Sequence, residues 1–414
     1  MAATWLIWVT SLTAIACVLL RPRDIAEAWW ACGGAAVLIV FSLIPLPLAG
    51  AAVWKGADVY LFLTGMMVLS ELARAEGVFD WIAEIAAAHA RNSTGRLFSL
   101  VYLAGAVVTI FLSNDATAVV LAPAVLTIVK RLKVDPVPHL LGCAFIANAA
   151  SFVLPISNPA NLVIFDQHMP RLWEWLGIFA LPSVAAIALT YLGLRALLKD
   201  RLGGGIDETL RQKRLSFEGR LALGGLAIAA AVLLASSAIG WPLGAPTCLA
   251  AVLATALVAI RDRHVPLTVI KGVSWSVIPL VAAIFVIVEA LQGAGMLRLA
   301  NDGLQFVQRQ SFLVGKLAAA FSVGLLSNVM NNLPVGLISG NVIPAAGAEP
   351  WTINATLLGV DLGPNLSVTG SLVTILWLMA LRREGVKISG RQFFKIGLVV
   401  MPVSLIACVL ALQK

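Results

Sequence analysis

Polar residues that could bind a small ligand or a proton occur in short clusters within apolar sequence. Between residues 97 and 129, the only side chain charged at neutral pH is Asp115, which follows Ser113 and Asn114. An acid at membrane depth is expected to face a cavity and to have a function. Its candidate roles are proton carrier, cation ligand and helix cap. We favour proton coupling, because no acid accompanies the corresponding cluster Ser327-Asn-Val-Met-Asn-Asn332.

Two further clusters contain proline, which indicates interrupted helices. One is Pro155-Ile-Ser-Asn-Pro-Ala-Asn161, and the other runs from Asp361 to Thr369 and includes Pro364. Proline removes a backbone donor and clashes with the preceding turn, so neither stretch continues as a regular helix. Unpaired backbone groups at bilayer depth are tolerated only beside protein or a polar cavity. Asp361 is a candidate secondary ionisable partner.

Amides and hydroxyls dominate these four breaks, and they can both donate and accept hydrogen bonds. Helix starts at the breaks would direct free N–H groups to a shared centre. Helix capping is the alternative role of each residue. We predict proton coupling for Asp115 and Asp361. The predicted substrate-binding residues are Ser113, Asn114, Thr117, Asn148, Ser157, Asn158, Asn161, Ser327, Asn328, Asn331, Asn332, Asn365 and Ser367.

The composition indicates a polytopic membrane protein embedded in a lipid bilayer. Of 414 residues, 60% are hydrophobic and 12% charged, with a mean hydropathy of +0.94. The net charge of +8 is interpreted as loop charge that sets topology, and no nucleic-acid partner is predicted. The first 20 residues lack a basic start and are predicted to be a retained helix. The five cysteines form no C-x-x-C pair, so neither a metal cluster nor a disulfide framework is predicted.

The segments 97–129 and 317–348 decide the topology. Divided at their Ser-Asn pairs, each half has about 15 residues, or roughly 22 Å of helix, which is too short for a ~30 Å hydrocarbon core. Each segment is therefore either a re-entrant hairpin or one long tilted helix. With two hairpins, 23 of the 29 lysines and arginines lie in cytoplasmic loops, as the positive-inside rule favours. We therefore predict ten transmembrane helices, two re-entrant hairpins and two periplasmic termini.

This topology has an internal symmetry. Each half contains three spans, a hairpin and two further spans, and the two halves have opposite orientations in the membrane. This arrangement is a 5+5 inverted repeat, which is typical of secondary transporters. The predicted units are a first repeat at 1–198 (hairpin 97–129, broken helix 137–165), a cytoplasmic linker at 199–218, and a second repeat at 219–414 (hairpin 317–348, broken helix 350–381).

The four clusters together resemble those of the bacterial arsenite efflux pumps of the ion transporter superfamily. The residues that carry the resemblance are Ser113-Asn-Asp-Ala-Thr117, Ile156-Ser-Asn-Pro-Ala-Asn161, Ser327-Asn-Val-Met-Asn-Asn332 and Gly363-Pro-Asn-Leu-Ser367. The resemblance covers essentially the whole chain. It implies export of arsenite and antimonite from the cytoplasm across the bacterial inner membrane, driven by proton antiport and without a cofactor. It also implies a soluble arsenite-stimulated ATPase as a candidate partner.

The residue types suit this cargo. Arsenite at neutral pH is mainly As(OH)3, whose hydroxyls can bond to amides and hydroxyls. Thiolate binding would need three converging cysteines, so Cys143 is interpreted as packing and the metalloid as held by hydrogen bonds. The superfamily's sodium-coupled carriers usually have Ser-Asn-Thr at the hairpin tips. The Ser-Asn-Asp and Ser-Asn-Val found here favour proton coupling.

Three alternatives remain at this point. A sodium/proton antiporter or sodium-coupled dicarboxylate carrier could use the same scaffold. An intramembrane enzyme is disfavoured because no H-E-x-x-H or G-x-S-x-G motif occurs. A passive channel is disfavoured by closed hairpin tips, although only transport kinetics separate it from a carrier.

Overall fold

The computed structural model describes residues 2–165, 168–206 and 214–413. Within these ranges the chain forms twenty α-helices joined by short turns and 3₁₀ or π segments. Their bounds are α1 Ala2–Leu20, α2 Glu27–Val40, α3 Leu46–Lys55, α4 Ala57–Ala75, α5 Val78–Ala88, α6 Thr94–Phe111, α7 Ala122–Arg131, α8 Pro136–Ala149, α9 Pro159–Phe165, α10 Leu172–Leu197, α11 Phe217–Ile239, α12 Gly244–Ala259, α13 Val265–Gly272, α14 Val277–Leu291, α15 Leu297–Gln308, α16 Phe312–Met330, α17 Asn332–Ala345, α18 Pro350–Leu362, α19 Leu372–Arg383 and α20 Gly390–Ala411.

Capping side chains and prolines determine several helix starts. At α6, the Ser93 hydroxyl accepts the backbone N–H of Arg96 at 3.3 Å, and at α11 Ser216 accepts that of Gly219 at 2.9 Å. Pro136 begins α8, where its missing N–H breaks no helical bond. The local sequence therefore contributes to these boundaries, and at α6 the Thr94 N–H also donates to the distant Gly204 carbonyl at 3.2 Å.

The helices are apolar on their outer surfaces as well as inside, as expected for contact with lipid. Trp5, Trp29 and Trp241 are among many large hydrophobic side chains that stay exposed. In the described part of the chain, six helical segments are long and apolar enough to span a membrane, and α3 with α4 (bent by 46°) makes a seventh. The six are Thr94–Phe111, Leu172–Leu197, Phe217–Ile239, Val265–Gln308, Phe312–Met330 and Gly390–Ala411. The predicted all-helical membrane protein is thereby confirmed, at the level of the fold class.

The helices of the two halves follow one another in the same order. In both α1–α10 and α11–α20, the third helix is short, with 10 residues in α3 and 8 in α13. Packing partners are exchanged between the halves: α4 packs against α12 and α13, whereas α14 packs against α2 and α3. The helices α10 and α20 pack against each other. Each half therefore completes the core of the other.

The chain turns sharply between α6 and α7 and between α16 and α17. The first turn follows Phe111, and the second occurs at Asn331. The helices that enter these turns have 18 and 19 residues, longer than the limbs of about 15 expected from the sequence. The second turn also lies beyond the predicted Ser327-Asn328 position, because α16 continues through both residues.

The two interrupted helices differ slightly from the predicted breaks. The first break opens after Ala149, where the Ser151 hydroxyl donates to the Asn148 carbonyl at 2.8 Å. Helix α9 resumes at Pro159, so Asn161 is helical. The second break lies between α18 and α19, and Asp361 is still within α18.

Small residues allow α16 and α18 to approach closely beside the second break. A Cβ atom added at Gly359 would lie 2.2 Å from the carbonyl oxygen of Ala320, so no larger side chain fits. Close backbone contact of this kind is how helices associate where lipid supplies no hydrophobic driving force. The broken helix thus packs closely against α16, which precedes it.

Candidate functional site

A cavity of about 150 Å³ lies where the two turns and the two interrupted helices meet. Apolar side chains of α4, α14 and α19 form much of its wall. Its polar lining residues are Ser70, Glu71, Ser113, Asn114, Asp115, Asn158, Ser274, Asn331, Asn332 and Ser371. Six of the fifteen predicted site residues therefore share one cavity: Ser113, Asn114, Asp115, Asn158, Asn331 and Asn332.

The first turn presents Asp115 to this cavity. The backbone leaves the helix at Leu112, and the Ser113 hydroxyl then accepts the N–H of Ala116 at 3.2 Å. The Asn114 Oδ1 atom accepts the N–H of Asp115 at 3.0 Å. Within the described ranges, no hydrogen bond or ion pair reaches the Asp115 carboxylate. The turn thus satisfies its own backbone and leaves one acid facing the cavity.

A π-helical segment, Ala116–Leu121, follows this turn and ties it to the preceding helix. The Thr117 hydroxyl is 2.8 Å from that of Thr109 and donates to the carbonyl of Gly105 at 3.1 Å. Thr117 therefore faces α6 and does not line the cavity. Single π turns inside helices are frequent at functional sites.

The second turn has an unusual backbone. Asn331 has φ 72° and ψ 151°, a region that only glycine occupies without strain. Its Oδ1 accepts the N–H of Leu333 at 3.3 Å, which caps α17, and Asn332 follows on the cavity wall. Strain of this kind persists only where the surrounding structure over-determines the conformation, and such residues cluster at functional sites.

The interrupted helices contribute their restarting ends to the same cavity. The Asn158 Oδ1 accepts the N–H of Ala160 at 3.0 Å, and the Ser371 hydroxyl accepts that of Val373 at 3.2 Å. Both polar residues are almost fully buried, with 3% and 1% of their surface exposed. Four capped chain restarts therefore border one small space.

Asp361 lies behind this wall rather than in it. The Asn158 Nδ2 group donates to its Oδ1 at 2.7 Å, which links the first broken helix to the second. Its Oδ2 atom is buried and has no hydrogen-bond partner among the described residues, although Ser151 lies nearby. Asp361 thus reaches the cavity only through Asn158.

The remaining predicted residues form structural links around the cavity. The Asn148 Nδ2 donates to Asn365 Oδ1 at 3.0 Å, and Asn365 in turn donates to the Phe145 carbonyl at 3.1 Å. Ser157 donates to the Ile110 carbonyl at 3.0 Å, which fixes the first break to α6. Asn161 donates to the Ser151, Leu154 and Pro155 carbonyls. None of these four predicted residues lines the cavity.

A second cluster of links holds Ser327 and Asn328. The Ser327 hydroxyl bonds within α16, to the Val323 carbonyl at 2.9 Å. The Asn328 Nδ2 donates to the Gly363 carbonyl at 2.9 Å, while its Oδ1 accepts the Ser367 hydroxyl at 2.5 Å. Asn328 therefore fastens α16 to the second break, and neither Ser327 nor Asn328 lines the cavity.

The sequence analysis missed several cavity residues, of which Glu71 is the most informative. Glu71 is on α4, 6% exposed, and its carboxylate is paired with Arg74 one turn later. Such a pair at i and i+3 is common on exposed helix faces, so it carried no signal. Ser274 and Ser371 were missed because neither belongs to the four clusters.

The lining defines what this cavity can hold. It contains two carboxylates, several amides and hydroxyls, and no lysine, arginine, histidine or cysteine among the residues identified. Cys143 is fully buried elsewhere in α8. The described residues contain no group of three or more metal-binding side chains. The cavity suits a small neutral ligand with several hydroxyls, or a cation, better than an anion.

An all-helical membrane protein with a polar cavity between interrupted helices belongs to the class of membrane transporters. The chain matches the family model described as "Citrate transporter" over residues 5–364, and it therefore belongs to this family. It is a multi-pass protein of the inner membrane and a transporter rather than an enzyme.

Named relatives make the resemblance more specific. The chain is 28% identical to the arsenical pump membrane protein of Yersinia enterocolitica, covering 92% of this chain and 91% of the relative. It is also 28% identical to an Escherichia coli protein of the same name, with coverage of 93% and 92%. The predicted likeness to the arsenite pumps is confirmed by these relatives.

A solved structure shares the fold. The crystal structure of the YdaH transporter from Alcanivorax borkumensis matches with a TM-score of 0.58 at 15% identity, covering 88% of this chain and 86% of that one. At this identity the match concerns the fold alone.

Proposed function

We propose that this protein exports arsenite or antimonite from the cytoplasm in exchange for protons. The observation that carries the proposal is the cavity itself, in which an Asp115 carboxylate without a hydrogen-bond partner in the described structure faces amides and hydroxyls. The amides and hydroxyls bind the hydroxyls of As(OH)3. Asp115 carries the proton, because an acid held at membrane depth is poised to gain and lose one. The names of the relatives support the cargo.

The mechanism is alternating access around this cavity. Ten spanning helices and two re-entrant hairpins form a 5+5 inverted repeat, with both termini in the periplasm. The exchanged packing of α4 and α14 against the opposite half supports a repeat, and the loop distribution of lysine and arginine supports its inversion. A cytoplasmic arsenite-stimulated ATPase is a candidate partner.

A second candidate function is carboxylate transport, which the description of the matched family favours, and sodium is the coupling ion that we propose for it. A citrate-like anion requires cationic or strongly donating partners, such as the bidentate groups of arginine. The lining contains no lysine or arginine, and its two carboxylates, Glu71 and Asp115, would repel the anion. The cavity therefore supports arsenite more strongly than citrate.

The test is arsenite uptake into everted membrane vesicles with an imposed proton gradient. Wild type should accumulate arsenite against its gradient. Asp115→Asn should lose this accumulation but retain arsenite exchange, since the amide can bind As(OH)3 but cannot release a proton. Uptake that depends on sodium or is saturated by citrate would replace the proposal with the second candidate.

A further inference from the structure

Two glutamates occupy equivalent places in the two halves of the molecule. Glu71 lies near the carboxyl end of α4, and Glu289 lies near the carboxyl end of α14. Since α4 packs against α13 and α14 packs against α3, each glutamate belongs to a helix that contacts the short helix of the other half. The short helices α3 and α13 also match in sequence, ending in Lys55-Gly56 and Lys271-Gly272.

The lysine and the glutamate at the outer position form an ion pair. The Lys55 Nζ and Glu289 Oε2 atoms are 3.0 Å apart, which joins α3 to α14. Beside this ion pair is a space of only about 30 Å³, walled by residues of α9 and α17 such as Val163 and Asn341. By the predicted topology this is the periplasmic end, and it is shut.

The equivalent position at the inner end is open. The Glu71 carboxylate borders the cavity and lies against α13, so that a Cβ atom added at Gly272 would be 1.7 Å from its Oε1. It is nevertheless paired with Arg74 of its own helix, and in the described structure Lys271 is exposed and makes no ion pair. The inner lysine is adjacent to its matching glutamate in the fold but does not bond to it.

We infer that Glu71 and Lys271 form an inner ion pair in the alternate state of the transporter, when the outer pair of Lys55 and Glu289 breaks. This inference rests on the proposed alternating access. One pair closes each end of the path, so the protein exchanges the outer ion pair for its inner equivalent, and the Glu71 carboxylate turns from Arg74 to Lys271. Glu71 and Lys271 are therefore positioning residues that act on the cavity by closing its cytoplasmic end.

The experiment measures which end is open, independently of the cargo. A thiol probe at Met67→Cys, on the cavity wall and half-buried, reacts with a membrane-impermeant maleimide in everted vesicles of a cysteine-free protein. Thr268→Cys, which is exposed on α13 and absent from the cavity lining, serves as the reference that stays reactive in both states. The ratio of the two labelling rates reports the cytoplasmic opening.

Breaking the outer pair with Lys55→Gln should lower the Met67→Cys rate by up to about fivefold, because loss of an exposed ion pair shifts the ratio of the two states by about two- to fivefold and the open fraction falls by at most that factor. Lys271→Gln should reverse this decrease when combined with Lys55→Gln. Arg263→Gln, on the same cytoplasmic connection and exposed, should not reverse it. Failure of Lys271→Gln to differ from Arg263→Gln would overturn the inner pair.

Transport supplies the second readout. Lys271→Glu should reduce uptake, and the exchange Glu71→Lys with Lys271→Glu should restore part of it if the two side chains pair. Lack of restoration with normal protein levels would contradict the pairing. If wild type moves no arsenite, the proposed cargo is wrong, yet the labelling ratios still decide whether the two ion pairs alternate.

Discussion

The segments α6–α7 and α16–α17 contain the same Ser-Asn dipeptide but use it differently. In the first half, α6 ends at Phe111 and Ser113 immediately caps the next helical segment, so Asp115 reaches the cavity. In the second half, Ser327 and Asn328 stay inside α16, and the chain turns only at Asn331. At the second turn, the residues that correspond to Asn114-Asp115 are thus Asn331-Asn332, and not Ser327-Asn328.

The two turns therefore contribute different chemical groups to the cavity, although the two halves have the same order of helices. The first turn contributes an acid without a bonded partner in the described structure, whereas the second contributes amides and a strained backbone. Asn328, which lies within α16, accepts from the Ser367 hydroxyl and donates to the Gly363 carbonyl, and these bonds hold the second broken helix. The first half therefore supplies the carboxylates of the cavity lining, and the second half adds amides and hydroxyls.

The largest expected effect comes from moving the acid between the turns. Asp115→Asn should lower proton-driven arsenite accumulation by roughly tenfold or more, the size of a typical coupling free energy. Adding Asn332→Asp should recover part of the coupling, because it places a carboxylate on the same cavity wall from the opposite turn. Accumulation in everted vesicles measures both.

The control for the acid exchange is Asp361→Asn with Asn332→Asp. This double variant keeps Asp115, and the acid that it removes, Asp361, does not line the cavity. Adding Asn332→Asp to Asp361→Asn should therefore not recover accumulation as it does in Asp115→Asn. Equal recovery by Asn328→Asp, away from the cavity, would show that position is irrelevant and would contradict the comparison of the turns.

The next largest effect concerns the strained backbone of Asn331. At φ 72° and ψ 151°, Asn331→Gly should be more stable than Asn331→Ala by about 1–3 kcal/mol, since only glycine adopts this region without strain. Thermal unfolding in detergent compares the two variants. At Met330, which is helical, the order should reverse by about 1 kcal/mol in favour of alanine. The same order at both positions would mean that the turn relaxes.

A smaller effect distinguishes fastening from binding. Ser367→Ala removes the donor to Asn328 and should reduce stability by about 1–2 kcal/mol while changing arsenite affinity little. Asn114→Ala loses only a bond to the neighbouring N–H, so it should reduce arsenite affinity while changing stability little. Unfolding temperature and arsenite uptake, measured on both variants, test this opposite ordering of effects. If Ser367→Ala weakens arsenite binding as strongly as Asn114→Ala, the cavity boundary is drawn wrongly.

Sequence could indicate the breaks but not their connections. Pro159 and Pro364 locate the interruptions because proline acts on its own turn, and Asp115 is conspicuous because its surroundings are apolar. The bond between Asn158 and Asp361 joins residues 203 positions apart, and no local rule assigns such partners. The position of the second turn was missed for a related reason: Ser and Asn can either cap a helix or bond within one, and neighbouring residues decide between these.

The smallest effect is expected at Cys143, and it tests whether oxygen and nitrogen ligands suffice for the cargo. Cys143 is fully buried in α8 and is absent from the cavity lining, as is Cys408 in α20. Cys143→Ala should therefore cost about 1 kcal/mol of stability through lost packing and leave arsenite uptake within about twofold of wild type. Cys408→Ala is the matched control, because it removes an equally buried thiol that bonds to the Pro182 carbonyl and is absent from the cavity lining. A selective loss of arsenite affinity in Cys143→Ala alone would mean that a thiolate reaches the cargo during transport. The amides of the two turns would then hold the metalloid in only part of the cycle.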